Sequence, residues 1–351
     1  MASIDWHIPR EGVYRFRRVS YATRQEIEEL SSIEPGGTIT RNTNTDLKES
    51  GKLTAVGPLS IGDDLIRIYY VVEDDDGGEE AMAIATMHAS VESSTYTSAT
   101  ETCTVTLYSA LLTLQGAELT ASLTIPSGTV AVSQAAALIT GLGLPVIASP
   151  SAKALTADRS YDAGSTYLKV VNDLLDFAGY WSALVDGWGR VVLAPYEAPA
   201  DRSSVWDFRD GENCIYLPDV STTTDAFSVP NVCILTSSTS GAGLIGTYTN
   251  ADPASPYSTV SRGRSIAMTD TVSDAVDQAD LVTRAKIKLA TATSATEITT
   301  IKHAYAPVSI GDVVGFAWGR HSLACDGSVQ SQDISLVPSA TTTTVLKRIW
   351  R

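Results

Sequence analysis

The sequence predicts a mainly β protein in which two related β domains flank a small α/β unit. Three observations predict it. The chain has 351 residues, a length that suggests two or three domains. Short runs rich in Val, Ile, Thr and Tyr fill both ends of the chain, and such runs favour strands. Two nearly identical hexapeptides, PLSIGD at 58–63 and PVSIGD at 307–312, lie far apart in matching surroundings. The division that follows is 1–110, 111–200 and 201–351.

Residues 13–110 read as β except for TRQEIEELSSI at 23–33, where Thr23 with Glu26 three residues on predicts a short helix by the capping-box pattern. DLIRIYYVVEDDDGGEEAMAIATMHASVES is a strand, an acidic turn and a returning strand, and ETCTVTLYSALLTL alternates as a further strand. In the middle third, SLTIPSGT is extended and AVSQAAALITGLGLP (131–145) is a helix stopped by glycines. GSTYLKVVNDLLDFAGYW is the clearest helix, with Leu168, Val171, Leu174, Leu175 and Ala178 on one face, Ser165 as its cap and Gly179 as its stop. The hairpin SALV-DGWG-RVVLAP follows, and YEAPADRSS (196–204) marks a boundary. The last third returns to β. NVCILTSS reads as a strand, and TNADPASPYSTVSRGR as a polar segment broken by Pro253, Pro256 and Gly263. SDAVDQADLVTRAKIKLATA (273–292) reads as a helix, with Asp274, Asp277 and Asp280 near its start, Arg284, Lys286 and Lys288 near its end, and Val276, Ala279, Val282 and Leu289 on its apolar face. Strands in EITTIKHAYAP, VVGFAW, SVQSQDISLV and TTTTVLKRI close the chain.

The paired hexapeptides sit alike within this order. An alternating strand precedes each proline, an apolar strand follows each Ser-Ile-Gly-Asp, and SAT (98–100 and 339–341) precedes the last strand of each block. The first block is longer, and its extra residues fall in the acidic hairpin, where insertions are tolerated. Pro58, Ser60, Ile61, Gly62 and Asp63, with Pro307, Ser309, Ile310, Gly311 and Asp312, therefore read as matching turns in two copies of one unit. Glycine allows a positive φ there, and aspartate accepts a backbone hydrogen bond.

Signals for catalysis or cofactors are weak. GAGLIG (241–246) matches a dinucleotide fingerprint literally, but TYTNADPASPY follows where the phosphate-binding helix is required. EDDDGGEE (73–80) lacks calcium-loop spacing. His7, His88, His303 and His321 are isolated, and His321 with Cys325 makes only two potential ligands. Cys103, Cys214, Cys233 and Cys325 form no CxxC pair and read as reduced thiols. Glu34, Asp186 and Asp312 lie near turns, where carboxylates usually serve the local backbone. Trp181, Trp188, Trp206 and Trp318 suit a sugar-stacking face or ordinary packing. No catalytic residue, metal or cofactor is expected. The formal charge of −15 disfavours a nucleic-acid-reading surface. No run reaches the roughly 18 apolar residues of a membrane span, and MASIDWHIPREGVYRFRR has no signal-peptide core.

Several stretches resemble the tail-hub, or baseplate-hub, proteins of bacteriophages and phage-like particles, especially minor tail proteins of phages of Gram-positive hosts. They are TRNTNTDLKESGKL and IRIYYVVED early, STYLKVVNDLLDFAGYWSALVDGWGRVVLAPYEAPADR in the middle, and VPNVCIL, NADPASPYSTVSRGR and APVSIGDVV late. The resemblance implies two β-barrel-like tube domains separated by an α/β insertion, and three copies forming a ring with six quasi-equivalent positions. Such a homotrimer adapts a sixfold tail tube to a threefold tip. The implied partners are a distal-tail or tail-tube protein, the tape-measure protein and other tip or receptor-binding proteins. DNA passes the lumen without specific binding during genome ejection, which an acidic lining favours. The implied location is the virion tail tip, assembled in the host cytoplasm. The chain closes on VLKRIWR with no room for an appended lysin, so a structural role is expected over an enzymatic one. The alternatives are a tail-tip or cell-surface module recognising a wall glycan and, third, a carbohydrate hydrolase.

Overall fold

The computed structural model describes residues 5–8, 10–73, 77–224, 227–237, 243–272, 277–293 and 297–349. Its first β lobe holds β1 (Gly12–Val19), β2 (Glu26–Glu29), β3 (Thr38–Asn42), β4 (Glu49–Val56), β5 (Leu65–Glu73), β6 (Glu79–Tyr96) and β7 (Glu101–Tyr108). The middle lobe holds α1 (Leu112–Gly116), β8 (Leu123–Ile125), α2 (Ala131–Gly141), β9 (Val146–Ala148), β10 (Arg159–Tyr161), α3 (Tyr167–Ala178), β11 (Leu184–Val185) and β12 (Val191–Leu193). Then come β13 (Trp206–Phe208), β14 (Ser221–Thr224), β15 (Val232–Ser237), β16 (Ile245–Thr249), α4 (Thr259–Arg262), β17 (Ala267–Val272) and α5 (Gln278–Thr293). The last strands are β18 (Glu297–His303), β19 (Val313–Trp318), β20 (Leu323–Ser335) and β21 (Thr342–Ile349). The fold is mainly β with an α/β insertion, as the sequence predicts, and no helix among the described residues is long and apolar enough to cross a membrane.

One sheet of 13 strands runs through both ends of the molecule, in the order β14-β18-β21-β20-β3-β4-β7-β6-β5-β1-β2, with β19 on β20 and β13 on β19. The same pairing scheme occurs in it twice. In the first lobe β4 pairs β7, β7 pairs β6 and β6 pairs β5; in the second β18 pairs β21, β21 pairs β20 and β20 pairs β19, all antiparallel. A strand precedes each block and pairs its first member antiparallel, β3 on β4 and β14 on β18. Even the irregularities match: β6 slips register against β7 between Val91 and Ser93, and β20 slips against β21 between Val329 and Ser331. The schemes part at the outer strand, where β1 joins β5 antiparallel and β13 joins β19 parallel.

The lobes meet where β20 pairs β3, from Ser331 opposite Asn42 to Ser335 opposite Thr38. Ile334 and Leu336 thereby enter the apolar cluster of the first lobe, beside Ile39 and Leu53. Burying two such side chains contributes about 1.5–3 kcal/mol each. The N-terminal segment ties the same seam. Trp6 packs against Tyr70 and Tyr305 at 6.1 and 5.9 Å between ring centroids, and His7 stacks on Trp206 at 4.0 Å.

Local structure follows the expected elements with several differences. Residues 23–33 are not helical. Glu26, Glu28 and Glu29 lie on β2, where they meet Arg67, Arg18 and Arg17 of the neighbouring strands at 3.0–3.3 Å, and these cross-strand ion pairs override an isolated capping pattern. The cap of α3 is Thr166 rather than Ser165, its Oγ1 accepting from the Lys169 amide at 3.3 Å, while Gly179 ends the helix as expected. Helix α5 starts at Gln278, capped by Asp277, whose carboxylate accepts from the Asp280 amide. Its buried stripe is Leu281, Ala285 and Leu289. Ala279 is exposed and Val282 half-buried, and Asp274 and Val276 lie outside the described residues. The polar segment around Pro253 contains α4, and the flanking β16 and β17 sandwich β15 in a small separate sheet. With α5 this sheet makes its own core around Cys233 and Leu235. The described residues of 201–351 thus contain two cores, that one and the cluster of Phe208, Ile301, Phe316 and Leu346.

Candidate functional site

The first hexapeptide links β4 to β5. Gly62 has φ +61°, Ile61 is buried, and the Asp64 amide donates to the Ile61 carbonyl at 3.2 Å. The carboxylate that fixes this turn is that of Asp64, one residue past the hexapeptide. It accepts from Arg18 Nε at 2.7 Å and from the Tyr21 amide at 3.2 Å. The bond to Arg18 holds its pKa below the ordinary carboxylate value. Arg18 also donates to the Ile61 carbonyl at 3.3 Å. Pro58, Ser60 and Asp63 are exposed.

The second hexapeptide links β18 to β19. Gly311 has φ +86°, and Asp312 Oδ2 accepts from the Ser309 amide at 2.8 Å. Arg202 donates to the Gly311 carbonyl at 2.6 Å, one residue further along the hexapeptide than the carbonyl that Arg18 reaches in the first turn. The Gly311 amide donates to the Val329 carbonyl at 2.8 Å and the Val329 amide to the Asp312 carbonyl at 2.9 Å, which fastens the turn to β20. Pro307 and Ile310 are half-buried and Ser309 is exposed. A Cβ on Gly62 or Gly311 meets nothing within 4 Å, so alanine there is opposed by backbone conformation alone. Each substitution is expected to cost about 1 kcal/mol, measured as a drop in the urea midpoint; an unchanged midpoint would show that the positive φ is not required.

The two turns are not brought together into one site. The second does border a cavity of about 180 Å³ where all three lobes meet, lined among others by Arg41, Glu49, Tyr305, Ser309 and Asp186. Glu49 lies opposite Arg41 across β3 and β4 and is 7% exposed. Its Oε2 is 3.5 Å from Arg41 Nε, while Oε1 is buried with no hydrogen-bond partner among the described residues. Desolvation, opposed by Arg41 and reinforced by Asp186, pushes the Glu49 carboxyl up to about 7. Arg41 donates further to the Ile84 carbonyl and to Gln332 of β20, and Tyr305 donates to the Met82 sulfur at 3.2 Å. The cavity is a seam between lobes that holds a buried, desolvated carboxylate.

The middle lobe reaches this seam with the tip of its β11–β12 hairpin. Asp186 accepts from the Trp188 and Arg190 amides at 3.0 and 2.9 Å, the local backbone service expected of a turn aspartate. The Gly187 carbonyl accepts from Thr86 Oγ1 at 2.8 Å, and Trp188 lies under the Arg67 guanidinium at 4.8 Å. A Cβ on Gly187 would overlap the Ala83 carbonyl oxygen.

The remaining candidates take packing roles. Gly246 of the GAGLIG stretch faces Leu281 of α5 so closely that a Cβ would collide with it, and residues 241 and 242 lie outside the described residues, as do 74–76 of the acidic turn. The four cysteines are free thiols. Among the described residues no group of three or more His, Cys, Asp or Glu is arranged to hold a metal ion. His321 packs on Trp318, and His303 is buried between Thr344 and the Ala304 carbonyl. The tryptophans divide among separate packing sites: Trp181 against Tyr196, Trp188 against Arg67, and Trp206 and Trp318 in the second β lobe. Neither Glu49 nor Gly187 stands out in the sequence as a junction residue. A charged KES run reads as solvated surface, and DGWG reads as an ordinary turn.

The geometry defines a mainly β protein of two β lobes and a middle α/β lobe, whose charged and aromatic side chains hold the lobes together. Neither a protein-family model nor a curated protein matches the sequence. Solved structures match its fold. A tail protein from Neisseria meningitidis MC58 is similar at 13% identity and TM-score 0.70, over 96% of this chain and 97% of that one. The 43 kDa tail protein of prophage MuSo2 from Shewanella oneidensis is similar at 11% identity and TM-score 0.66, over 96% and 98%. Prophage tail protein gp18 from Listeria monocytogenes EGD-e is similar at 13% identity and TM-score 0.59, over 95% and 94%. The fold is thus one found in phage tail proteins. Neisseria and Shewanella are Gram-negative, so the likeness extends past phages of Gram-positive hosts.

Proposed function

We propose that this protein is a structural hub of a phage-type tail, sited at the distal end of the tail tube. Copies of the chain close into a ring, and a homotrimer presents six similar β lobes to a sixfold tube above and a threefold tip below. The observation that carries this reading is the strand scheme used twice, with its matching bulges, laid edge to edge in one sheet. Two such blocks side by side are two neighbouring segments of a ring, and we read them, with their paired turns, as copies of one unit separated by the middle lobe. Closure also removes exposed strand edges. The partners of such a ring are a tube or distal-tail protein, the tape-measure protein and tip or receptor-binding proteins, and DNA slides past without adhering, which the −15 charge favours. The role is mechanical, and the turn carboxylates are committed to backbone and arginine partners.

Cryo-microscopy of particle tips tests the reading. The expected result is threefold density with six lobes at the tube's lower end. Finding the chain on peripheral fibres, or as single copies, would overturn it.

A further inference from the structure

A pairing inside the chain names the pairing between chains. Past His88, where β5 stops, β6 is paired among the described residues on one side only, with β7. The equivalent stretch of β20, past Ser328 where β19 stops, is covered on that side by β3. The matching bulges align the two strands residue by residue, so that Ser93–Thr97 corresponds to Ser331–Ser335. Their surroundings are opposite. Val329 is fully buried, whereas Val91, its counterpart, is 40% exposed; Ile334 is 1% exposed, whereas Tyr96 is 74% exposed. On the other side, β14 stands to β18 as β3 stands to β4, but among the described residues its outer edge carries no strand, and all four of its residues are exposed. The molecule therefore has one filled junction, β20 on β3, and the two unfilled halves of a second.

We infer that β6 of one copy pairs antiparallel with β14 of a second copy, repeating between chains the β20–β3 junction within the chain. The inference rests on the ring reading above and specifies its interface. Continuing the internal register sets Tyr96 opposite Thr224, as Ile334 lies opposite Ile39. Edge chemistry selects these strands over others. β2, at the end of the sheet, is Glu-Ile-Glu-Glu, and a charged edge resists pairing. In that register Tyr96 and Thr97 face Thr224 and Thr223, and neither Ser93–Thr97 (SSTYT) nor β14 (STTT) carries charge. Because the donor and acceptor edges differ, the contact is head-to-tail, and such contacts close into rings when their rotation permits.

The full chain carrying Tyr96→Cys with Thr224→Cys tests this, beside wild type and each single variant to account for the native thiols. After mild oxidation the double variant is expected to give a disulfide ladder ending at three chains, absent from the single variants. Tyr96→Asp, on an exposed strand and with unchanged circular dichroism, is expected to raise the concentration for half-association in light scattering at least tenfold. A wild-type chain that oligomerises, with a double variant that gives no cross-link and a Tyr96→Asp variant that associates as before, would overturn the edge pairing and leave the ring intact. A wild-type chain that stays monomeric at every concentration, with a double variant that never cross-links, would overturn both.

Discussion

Alanine at Gly187 is expected to dislodge the hairpin tip of the middle lobe and lower stability by about 1–3 kcal/mol, the usual cost of overpacking. Gly187 is not held by a positive φ, and its constraint is proximity, since the Ala83 carbonyl oxygen occupies the space a Cβ would need. That oxygen belongs to the backbone of β6 and cannot swing aside as a side chain would. The hairpin must therefore lift. Lifting it breaks the bond from Thr86 to the Gly187 carbonyl and draws Trp188 from beneath Arg67. The predicted signature is a lower denaturation midpoint together with faster amide exchange in β5 and β6. Gly116→Ala, which meets nothing within 4 Å, is the control. Wild-type midpoint and exchange in the Gly187 variant would show that the tip is not docked as described.

Glu49→Gln is expected to change how stability depends on pH. Glu49 titrates near 7 in the folded protein against an ordinary value of 4.5. Between those values the folded state binds more protons than the unfolded one. Its contribution is complete below pH 4.5 and lost as pH rises through 7, about 3 kcal/mol in all. His303 has the opposite sense. Burial lowers it from 6.5 to about 4. Its Nδ1 donates to the Ala304 carbonyl at 2.6 Å, so Nε2 accepts from the Thr344 hydroxyl at 2.7 Å. That neutral ring contributes above pH 6.5, and its contribution is lost as pH falls through 4, again about 3 kcal/mol. The two slopes nearly cancel in the wild type. Glutamine mimics the protonated carboxyl, so the variant should match wild type at pH 4.5 and exceed it by about 3 kcal/mol at pH 8. Urea denaturation at pH 4.5, 6 and 8 provides the comparison; parallel profiles for the two proteins would refute the assignment.

Much of the architecture was legible because strand alternation and turn chemistry are local. Thr38–Val56, the SIGD turns and the α3 stripe all announce themselves within a few residues. What stayed hidden depends on distant partners. The carboxylates of Glu26, Glu28 and Glu29 favour a strand only because Arg67, Arg18 and Arg17 stand beside them. The polar stretch around Pro253 concealed α4 because its cap, Ser258, and its closing Gly263 sit among other small polar residues. Glu49 is buried by contributions from three lobes. The β20–β3 seam was equally invisible, since SQDIS (331–335) reads as any edge strand until β3 is placed against it.

That seam also orders events in time. Thr40 and Asp333 bond across 293 residues of sequence, so during synthesis the first lobe waits with the outer edge of β3 open and Ile39 uncovered. Contacts of such separation form late, and the intermediate that precedes them is the one most exposed to mispairing. Because β14 resembles β3 in position and direction, its edge is a second acceptor of similar kind. Membership of one chain raises the effective concentration of β3 and β20 for each other over any contact between molecules, so the internal pairing is the favoured one once both strands exist.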